Sequence, residues 1–163
     1  MAERPCIGVF DSGLGGLTVL KALAKIVPDA DYIYFGDTAR LPYGSKSAET
    51  VTHYALDAAK HLEGMGAEML VVACNTATAL SLDAITEGLQ IPVIGVIEPG
   101  ALAAAQASNK KKVVVIGTEA TVASHAYQKA LRKLGIDSQE KACPLFVPLV
   151  EEGWSEHSVT DQV

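Results

Sequence analysis

The sequence predicts an α/β protein in which helices flank parallel β-sheets, arranged in two successive units. Short β-branched runs alternate with stretches in which apolar residues recur at helical spacing. Most of these runs end in glycine or small polar residues, which are the usual turn formers between a strand and a helix. The 163 residues are 49% hydrophobic and 20% charged, values typical of a water-soluble globular chain of about one to one and a half domains.

The first unit opens with two strands separated by a helix. CIGVFD, residues 6–11, is predicted as a strand, and apolar positions over 17–27 predict a helix that Pro28 stops. DYIYFG, residues 31–36, is the second strand. Residues 37–46 show no periodicity, so they predict a loop of about ten residues, and a loop of this length at a strand exit is often functional.

Two more pairs of helix and strand complete the first unit. Apolar residues over 51–65 share one helical face, and MLVVA, residues 69–73, is the third strand. The next helix is predicted from Thr76 to Glu87, with Gly88 as its stop. The fourth strand, within IPVIGVIEPG, is predicted to end at Pro99-Gly100, where two residues that break regular structure stand together.

A second, shorter series starts near residue 98. Its predicted elements are a helix near 100–107, a strand at 112–117, a helix over 120–134, a strand near 138–142, and a loop with a short helix in PLFVPLVEEGW. We expect a first domain over residues 1–97 and part of a second over 98–163. Only the strand at 112–117 has a clear β-pattern, and one strand with one or two helices cannot cover both of its faces, so the second domain is expected to be incomplete here.

Charge and cysteine spacing argue against several classes of function. The formal net charge of −6 and the single basic run, Lys110–Lys112, disfavour nucleic acid as a partner. The first apolar stretch is too short for a signal peptide, and no window approaches the roughly 20 apolar residues that span a bilayer, so a cytoplasmic location is expected. Cys6, Cys74 and Cys143 are widely spaced without a Cys-x-x-Cys pair, which predicts free thiols and no metal site.

Small polar residues follow four of the predicted strands. They are Asp11-Ser12-Gly13, Gly36-Asp37, Cys74-Asn75-Thr76, and Thr118 with Thr121. In open parallel sheets the ligand lies beyond the carboxyl ends of the strands, where helix N-termini offer N–H donors to a carboxylate or phosphate. The four exits together predict an anionic ligand, although any one of these residues alone is explained as a helix cap or a turn former.

Two features at these exits require a choice between alternatives. The turn DSGLGGLT lacks the lysine of a P-loop and has Thr18 where a dinucleotide fingerprint needs glycine or alanine, so a nucleotide site is disfavoured.

Cys74 ends an apolar run, a position typical of a buried structural cysteine. It also stands just before a helix start, an electropositive setting that lowers the pKa of a thiol. The residues alone leave both interpretations of Cys74 open, and no histidine at a partner spacing supports a Cys-His hydrolase.

Six blocks of the sequence follow one another in an order that is found in a known enzyme family. They are GVFDSGLGGLTVL, YFGDTARLPYGSKS, VVACNTATA, IPVIGVIEP, IGTEATVASHAY and CPLFVPLVEEG. With these blocks the chain resembles, over nearly its whole length, the glutamate racemases of the aspartate/glutamate racemase superfamily. The resemblance implies two flavodoxin-like parallel-sheet domains with the active site between them, the second incomplete here. It also implies that two cysteines interconvert L- and D-glutamate without a cofactor. The D-glutamate would be used in peptidoglycan synthesis, and a homodimer is a possible assembly.

The resemblance also implies roles for individual residues. Cys74 would be one of the two catalytic cysteines, with Asp11 orienting or assisting its thiol and the substrate ammonium. The residues implied to bind substrate are Ser12, Pro42, Tyr43, Gly44, Asn75, Thr76, Thr118, Thr121 and Glu151. No metal is implied.

The chain departs from the family at the second catalytic cysteine. That residue belongs to a Gly-Cys-Thr-His block downstream of CPLFVPLVEEG, which these residues do not contain, and neither Cys6 nor Cys143 matches it by motif. We therefore expect an incomplete racemase that is not fully active alone. The alternatives are a racemase for aspartate or another amino acid, a single-cysteine decarboxylase relative, and an inert or merely ligand-binding fragment.

Overall fold

The computed structural model describes residues 4–163 and contains two parallel sheets with helices packed against them. The strands are β1 (Cys6–Asp11), β2 (Asp31–Gly36), β3 (Met69–Val72), β4 (Val93–Gly95), β5 (Lys112–Gly117) and β6 (Asp137–Ala142). The helices are α1 (Leu17–Ile26), α2 (Ala48–Gly64), α3 (Asn75–Gly88), α4 (Ile97–Ala107), α5 (Glu119–Ser124), α6 (Ala126–Lys133) and α7 (Phe146–Glu151). The predicted α/β class is confirmed, and every predicted strand is present.

The first sheet has the strand order β2-β1-β3-β4, and all of its pairs are parallel. Parallel neighbours need long crossover connections, which α1, α2 and α3 provide. The register pairs Asp11 with Gly36 and Phe10 with Val72, so the carboxyl ends of β1, β2 and β3 stop at one edge. This alignment brings together the polar residues that follow each strand.

The central strand of this sheet is buried on both faces. Val9 and Phe10 on β1 are both fully buried, although successive side chains of a strand point to opposite faces. Phe10 belongs to a cluster that includes Leu62 of α2, whereas Val9 packs with residues of α1 such as Leu23. Burying a side chain of this size stabilises a fold by about 1.5–3 kcal/mol, so these contacts fix the strand ends beneath the polar residues.

The second sheet contains β5 and β6, paired in parallel from Lys112 with Asp137 to Gly117 with Ala142. Residues of α4 and α6 pack on one face of this sheet, around the fully buried Leu131. On the opposite face the side chains of Val114 and Ile116 are 65% and 57% exposed. The second sheet is therefore covered by helices on one face only within the described residues.

Two predicted boundaries are wrong. Pro99-Gly100 does not end a strand but lies near the start of α4, which begins at Ile97. Proline is tolerated there because the first N–H groups of a helix have no intrahelical acceptor. The single helix predicted over 120–134 is two helices, because His125 between α5 and α6 adopts a left-handed conformation with φ 55°. The ring of His125 is paired there with Glu140, with Nδ1 2.7 Å from Oε2.

The basic run Lys110–Lys112 is exposed at the turn that leads into β5. Within residues 4–163, no helix combines the length and the apolar character needed to cross a membrane. The same part of the chain contains no group of His, Cys, Asp and Glu side chains placed to hold a metal ion.

Candidate active site

A cleft of about 280 Å³ lies at the carboxyl end of the first sheet, where α5 and α7 approach it. The predicted residues that line it are Asp11, Ser12, Pro42, Tyr43, Gly44, Cys74, Asn75 and Thr76 from the first unit, and Thr118 and Glu151 from the second. Of the predicted site residues, Thr121 alone is outside the wall, and its hydroxyl contacts two residues that are part of the wall. The structure therefore brings together residues from five of the six sequence blocks.

Cys74 lies just beyond β3 and is the N-cap residue of α3. Its Sγ accepts a hydrogen bond from the backbone N–H of Ala77 at 3.4 Å and donates one to Ser12 Oγ at 3.4 Å. The residue is only 5% exposed, yet it forms part of the cleft wall. The sulfur is therefore held at a helix N-terminus, beside the space in which a ligand would bind.

The surroundings of Cys74 raise the pKa of its thiol, in contrast to the lowered pKa that a helix N-terminus alone would favour. Burial is the largest cause and the carboxylate of Asp11 adds to it, while hydrogen bonds with Ser12 and Ala77 lower the pKa by less. A helix N-terminus favours the thiolate, but loss of hydration favours the neutral thiol. Here the loss of hydration dominates, and the thiol is protonated at neutral pH.

Asp11, the last residue of β1, organises the glycine-rich turn that follows it. Its Oδ2 accepts N–H hydrogen bonds from Gly13 at 3.1 Å and from Gly16 at 2.9 Å. Tyr34 of β2 donates its hydroxyl to the carbonyl of Gly13 at 2.8 Å. A Cβ at Gly16 would lie 2.5 Å from Asp11 Cβ, so the turn needs glycine there. One oxygen of the carboxylate thus holds the turn, and Oδ1 makes no hydrogen bond with residues 4–163.

Glu151, the last residue of α7, brings a second carboxylate to the cleft. Its pKa is raised by burial first, and then by the negative charges of Asp11 and Glu152. A Cβ at Gly13 would lie 2.5 Å from Glu151 Oε1, so glycine at residue 13 allows α7 to approach the turn. Two carboxylates in one cleft favour a cation between them, and an ammonium group fits that requirement.

Three threonine hydroxyls connect the two units beside Cys74. Thr76 Oγ1 lies 3.0 Å from Thr118 Oγ1 and 3.2 Å from Thr121 Oγ1, and the last two are 3.0 Å apart. Next to them, the hydroxyl of Tyr127 donates to Asn75 Oδ1 at 2.7 Å. These contacts place hydroxyl groups from both units at the same side of the cleft.

The loop between β2 and α2 supplies residues 41–44 to the cleft wall. Tyr43 is 1% exposed, its ring belongs to the core, and its hydroxyl donates to Asp37 Oδ2 at 2.6 Å. The phenol is therefore already engaged and is not a free binding group. Gly44 lies against the side chain of Thr118 with no room for a Cβ. Hydrogen bonds from residues 43 and 44 to a ligand would have to come from the backbone.

Several residues in or beside the cleft were not predicted, and Val147, Tyr34 and Tyr127 are among them. Val147 lines the wall, Tyr34 supports the glycine turn, and Tyr127 orients Asn75. Each falls inside a helix or strand, where ordinary packing accounts for its residue type. The one available signal was the pair of tyrosines in DYIYFG, which lie on one face of the strand next to the glycine turn.

The other thiols lie outside this cleft. Cys143 lines a separate cavity of about 510 Å³ beside β5, and Cys6 begins β1 at the opposite end of the first sheet. A larger cavity, of about 630 Å³, lies among α3, α4 and α6 and is lined by no cysteine. Size alone would favour those cavities, but the thiol with two carboxylates identifies the smaller cleft as the candidate active site.

The chain belongs to the Asp/Glu/Hydantoin racemase family, whose profile matches residues 7–156. The match takes in the glycine-rich turn, Cys74, the threonine cluster and Glu151. Every element that contributes to the cleft is therefore part of the family domain.

Among individual proteins, the glutamate racemase of Koribacter versatilis (strain Ellin345) is 65% identical over 161 residues, which are 99% of this chain and 55% of that protein. The glutamate racemase of Geobacter metallireducens is 56% identical, over 94% of this chain and 57% of the relative. The solved glutamate racemase from Aquifex pyrophilus has a TM-score of 0.86 at 50% identity and covers 96% of this chain and 62% of its own. This chain also shares its fold with an aspartate racemase from Picrophilus torridus. The two are 18% identical and superpose with a TM-score of 0.61, over 97% of this chain and 71% of the aspartate racemase chain. The chain spans a little more than half the length of the curated relatives.

Proposed function

We propose that this protein is a glutamate racemase that interconverts L- and D-glutamate without a cofactor, with Cys74 as the acid or base at one face of the α-carbon. The observation that carries the proposal is a buried thiol at a helix N-terminus, in one cleft with the carboxylates of Asp11 and Glu151. The relatives at 56% and 65% identity are glutamate racemases, which supports glutamate rather than aspartate as the substrate.

The cleft offers a complementary group for each charged end of glutamate. Its α-ammonium would lie near Asp11 and Glu151, because two carboxylates together attract a cation. The first N–H groups of α3 and the hydroxyls of Thr76 and Thr118 are donors for a carboxylate. Donors that are already aligned stabilise developing charge without reorganising, and one of them can be worth about 3–4 kcal/mol.

Proton transfer at this face would begin with the thiolate of Cys74. The sulfur takes the α-proton, an S–H bond forms as the C–H bond breaks, and the electron pair spreads from the α-carbon into the α-carboxylate. Return of a proton to the same face regenerates the starting enantiomer, whereas return to the opposite face inverts it. Cys6 and Cys143 do not line the cleft, so we assign to the described residues the chemistry of one face only.

The proposal extends to the organisation and setting of the protein. Residues 1–97 would form a first domain and residues 98–163 part of a second, with the cleft between them; separate buried clusters in the two units support this division. We place the reaction in the cytoplasm, where D-glutamate would be consumed in peptidoglycan synthesis.

The test is exchange of the α-proton in D₂O, followed by ¹H NMR, for the protein expressed from its gene. L-glutamate, D-glutamate and L-aspartate are incubated separately, and circular dichroism reports any inversion. We expect the α-proton signal of at least one glutamate enantiomer to disappear while that of aspartate persists. Exchange of aspartate alone would make aspartate the substrate, and no exchange with any of the three would reject Cys74 as a base.

A further inference from the structure

The loop that carries residues 41–44 into the cleft is tied to a buried carboxylate that the proposed reaction does not use. Asp37 is 4% exposed, and its Oδ2 accepts the hydroxyl of Tyr43 at 2.6 Å. Nε of Arg40 lies 3.0 Å from Oδ1 and 2.8 Å from Oδ2 of the same carboxylate. The guanidinium group of Arg40 also lies over the ring of Tyr54, 4.5 Å from its centre. The carboxylate of Asp37, at the start of the loop, therefore holds Arg40 and Tyr43 further along the loop.

This network is more than a way to fill the core. A buried carboxylate is tolerated only when it is paired. Apolar residues of similar volume in place of a buried ion pair often give an equally stable fold, so stability alone does not require the charges of Asp37 and Arg40. Burial and the hydrogen bond to Asp37 raise the pKa of Tyr43, so its hydroxyl keeps its proton and remains a donor. Neither Asp37 nor Arg40 lines the cleft, which leaves geometry as their contribution to the site.

The loop contacts two residues of the site and the core beneath them. The N–H of Asp37 donates to the carbonyl of Asp11 at 2.9 Å, and the ring of Tyr43 packs against Phe10 with 6.3 Å between their centres. Gly44 lies against Thr118 in the second unit. A shift of the loop would therefore displace the backbone at residues 43 and 44 relative to Cys74.

We propose that Asp37, Arg40 and the hydroxyl of Tyr43 form a latch that positions this loop for substrate binding. The substrate, glutamate, rests on the proposed function, but the latch itself is a property of the loop. Without the latch, fewer molecules hold the loop in the binding arrangement, and the apparent dissociation constant rises by the same factor. Molecules that do bind substrate still react normally, so the latch acts on KM and leaves kcat unchanged.

Two variants and one matched control test the latch. Tyr43→Phe removes one hydroxyl, and Asp37→Asn removes the charge while keeping the size. Tyr54→Phe removes the same atom from the neighbouring ring, where the hydroxyl makes no hydrogen bond with residues 4–163. The measurements are KM and kcat for glutamate, and amide hydrogen exchange of residues 38–46 by mass spectrometry.

We expect Tyr43→Phe and Asp37→Asn each to raise KM about tenfold, with kcat within about twofold of the parent, and to speed amide exchange in the loop but not in α2. Tyr54→Phe should change neither quantity. A merely structural role would lower the active fraction, so kcat would fall at constant KM, and that result would overturn the proposal. Unchanged loop exchange in Tyr43→Phe would overturn it as well. If the parent protein does not act on glutamate, the proposed function fails, and loop exchange still decides whether the latch exists.

Discussion

Replacing Cys74 with serine or alanine separates the structural contribution of this residue from its chemistry. Its Sγ caps α3 by accepting the N–H of Ala77, and it also contacts Ser12. Cys74→Ala removes that acceptor, which costs about 0.5–2 kcal/mol for a helix N-cap. Loss of one buried heavy atom adds about 0.8 kcal/mol. The alanine variant should therefore lose about 1–3 kcal/mol of the free energy of unfolding.

Cys74→Ser keeps an acceptor of similar size in the same place. Serine is a preferred N-cap residue, so the free energy of unfolding should stay within about 1 kcal/mol of the parent value. Both variants lack the thiol, and a positioned general base contributes about a hundredfold or more to a proton transfer. The rate of α-proton exchange of glutamate should therefore fall at least about a hundredfold in both variants, although only the alanine variant is destabilised.

Urea unfolding followed by far-UV circular dichroism measures the first effect, and ¹H NMR in D₂O measures the second. With a loss of about 2 kcal/mol and a slope of about 2 kcal/mol per molar urea, the alanine variant should unfold at a midpoint about 1 M lower. A serine variant that exchanges the α-proton at the parent rate would remove Cys74 from the mechanism. Equal midpoints for the alanine variant and the parent would show that the sulfur is not a cap of any consequence.

Three further measurements test neighbouring features. Burial raises the pKa of Cys74 above its ordinary value of 9.0, so as the pH rises the thiol ionises in the unfolded protein before it ionises in the folded protein. The free energy of unfolding should therefore not depend on this thiol below pH 9 and should fall above pH 9. Alkylation of Cys74 by iodoacetamide, mapped by mass spectrometry, should accelerate only above pH 9, and a midpoint below pH 8 would contradict the shift. Gly44→Ala forces a methyl group against Thr118 and should lower the free energy of unfolding in urea by about 1–3 kcal/mol. The control Gly64→Ala adds a methyl group with no atom within 4 Å and should cause no such loss, so equal losses in the two variants would disprove the collision with Thr118. Leu131→Ala should lower the free energy of unfolding by about 2–5 kcal/mol, because the side chain is fully buried in the core of the second unit. Amide exchange should become faster in α6 and β6 but not in β1 and β3, and faster exchange in all four elements would argue against two domains.

Local sequence patterns predict the strands and fail where local chemistry is ambiguous. DYIYFG and KVVVIG are β-branched or aromatic runs between turn formers, and both strands begin and end where they were predicted. Pro99 was assigned wrongly because a proline near a helix start looks, in sequence, like the proline that ends a strand. The break at His125 was missed because apolar spacing continues across it. Its contact with Glu140 of β6 joins residues from different elements, which no local pattern reports.

The position of the candidate site could be predicted, but its electrostatics could not. Parallel strand order places Asp11 and Cys74 at one edge of the first sheet, because Asp11 ends β1 and Cys74 follows β3. Thr118 follows β5 of the second sheet and reaches the cleft through its contact with Thr76. The pKa of Cys74 depends on how completely other segments exclude water from it. That exclusion involves contacts such as those of Thr76 with residues 42 and 45 positions further along the chain. A helix N-terminus can be recognised in a sequence, whereas the loss of hydration at the same atom cannot.

The raised pKa of Cys74 is compatible with a catalytic role, because Asp11 has two effects on the proposed reaction. After burial, Asp11 is the next cause that keeps the thiol protonated, and it is also one of the two carboxylates that would attract the ammonium of glutamate. A bound ammonium adds a positive charge near the sulfur, which lowers the pKa of a thiol and offsets the effect of Asp11. Within the proposed function, the thiolate would therefore form mainly when substrate is present. Because oxidation and alkylation require the thiolate, a thiol that stays protonated without substrate is also protected from both.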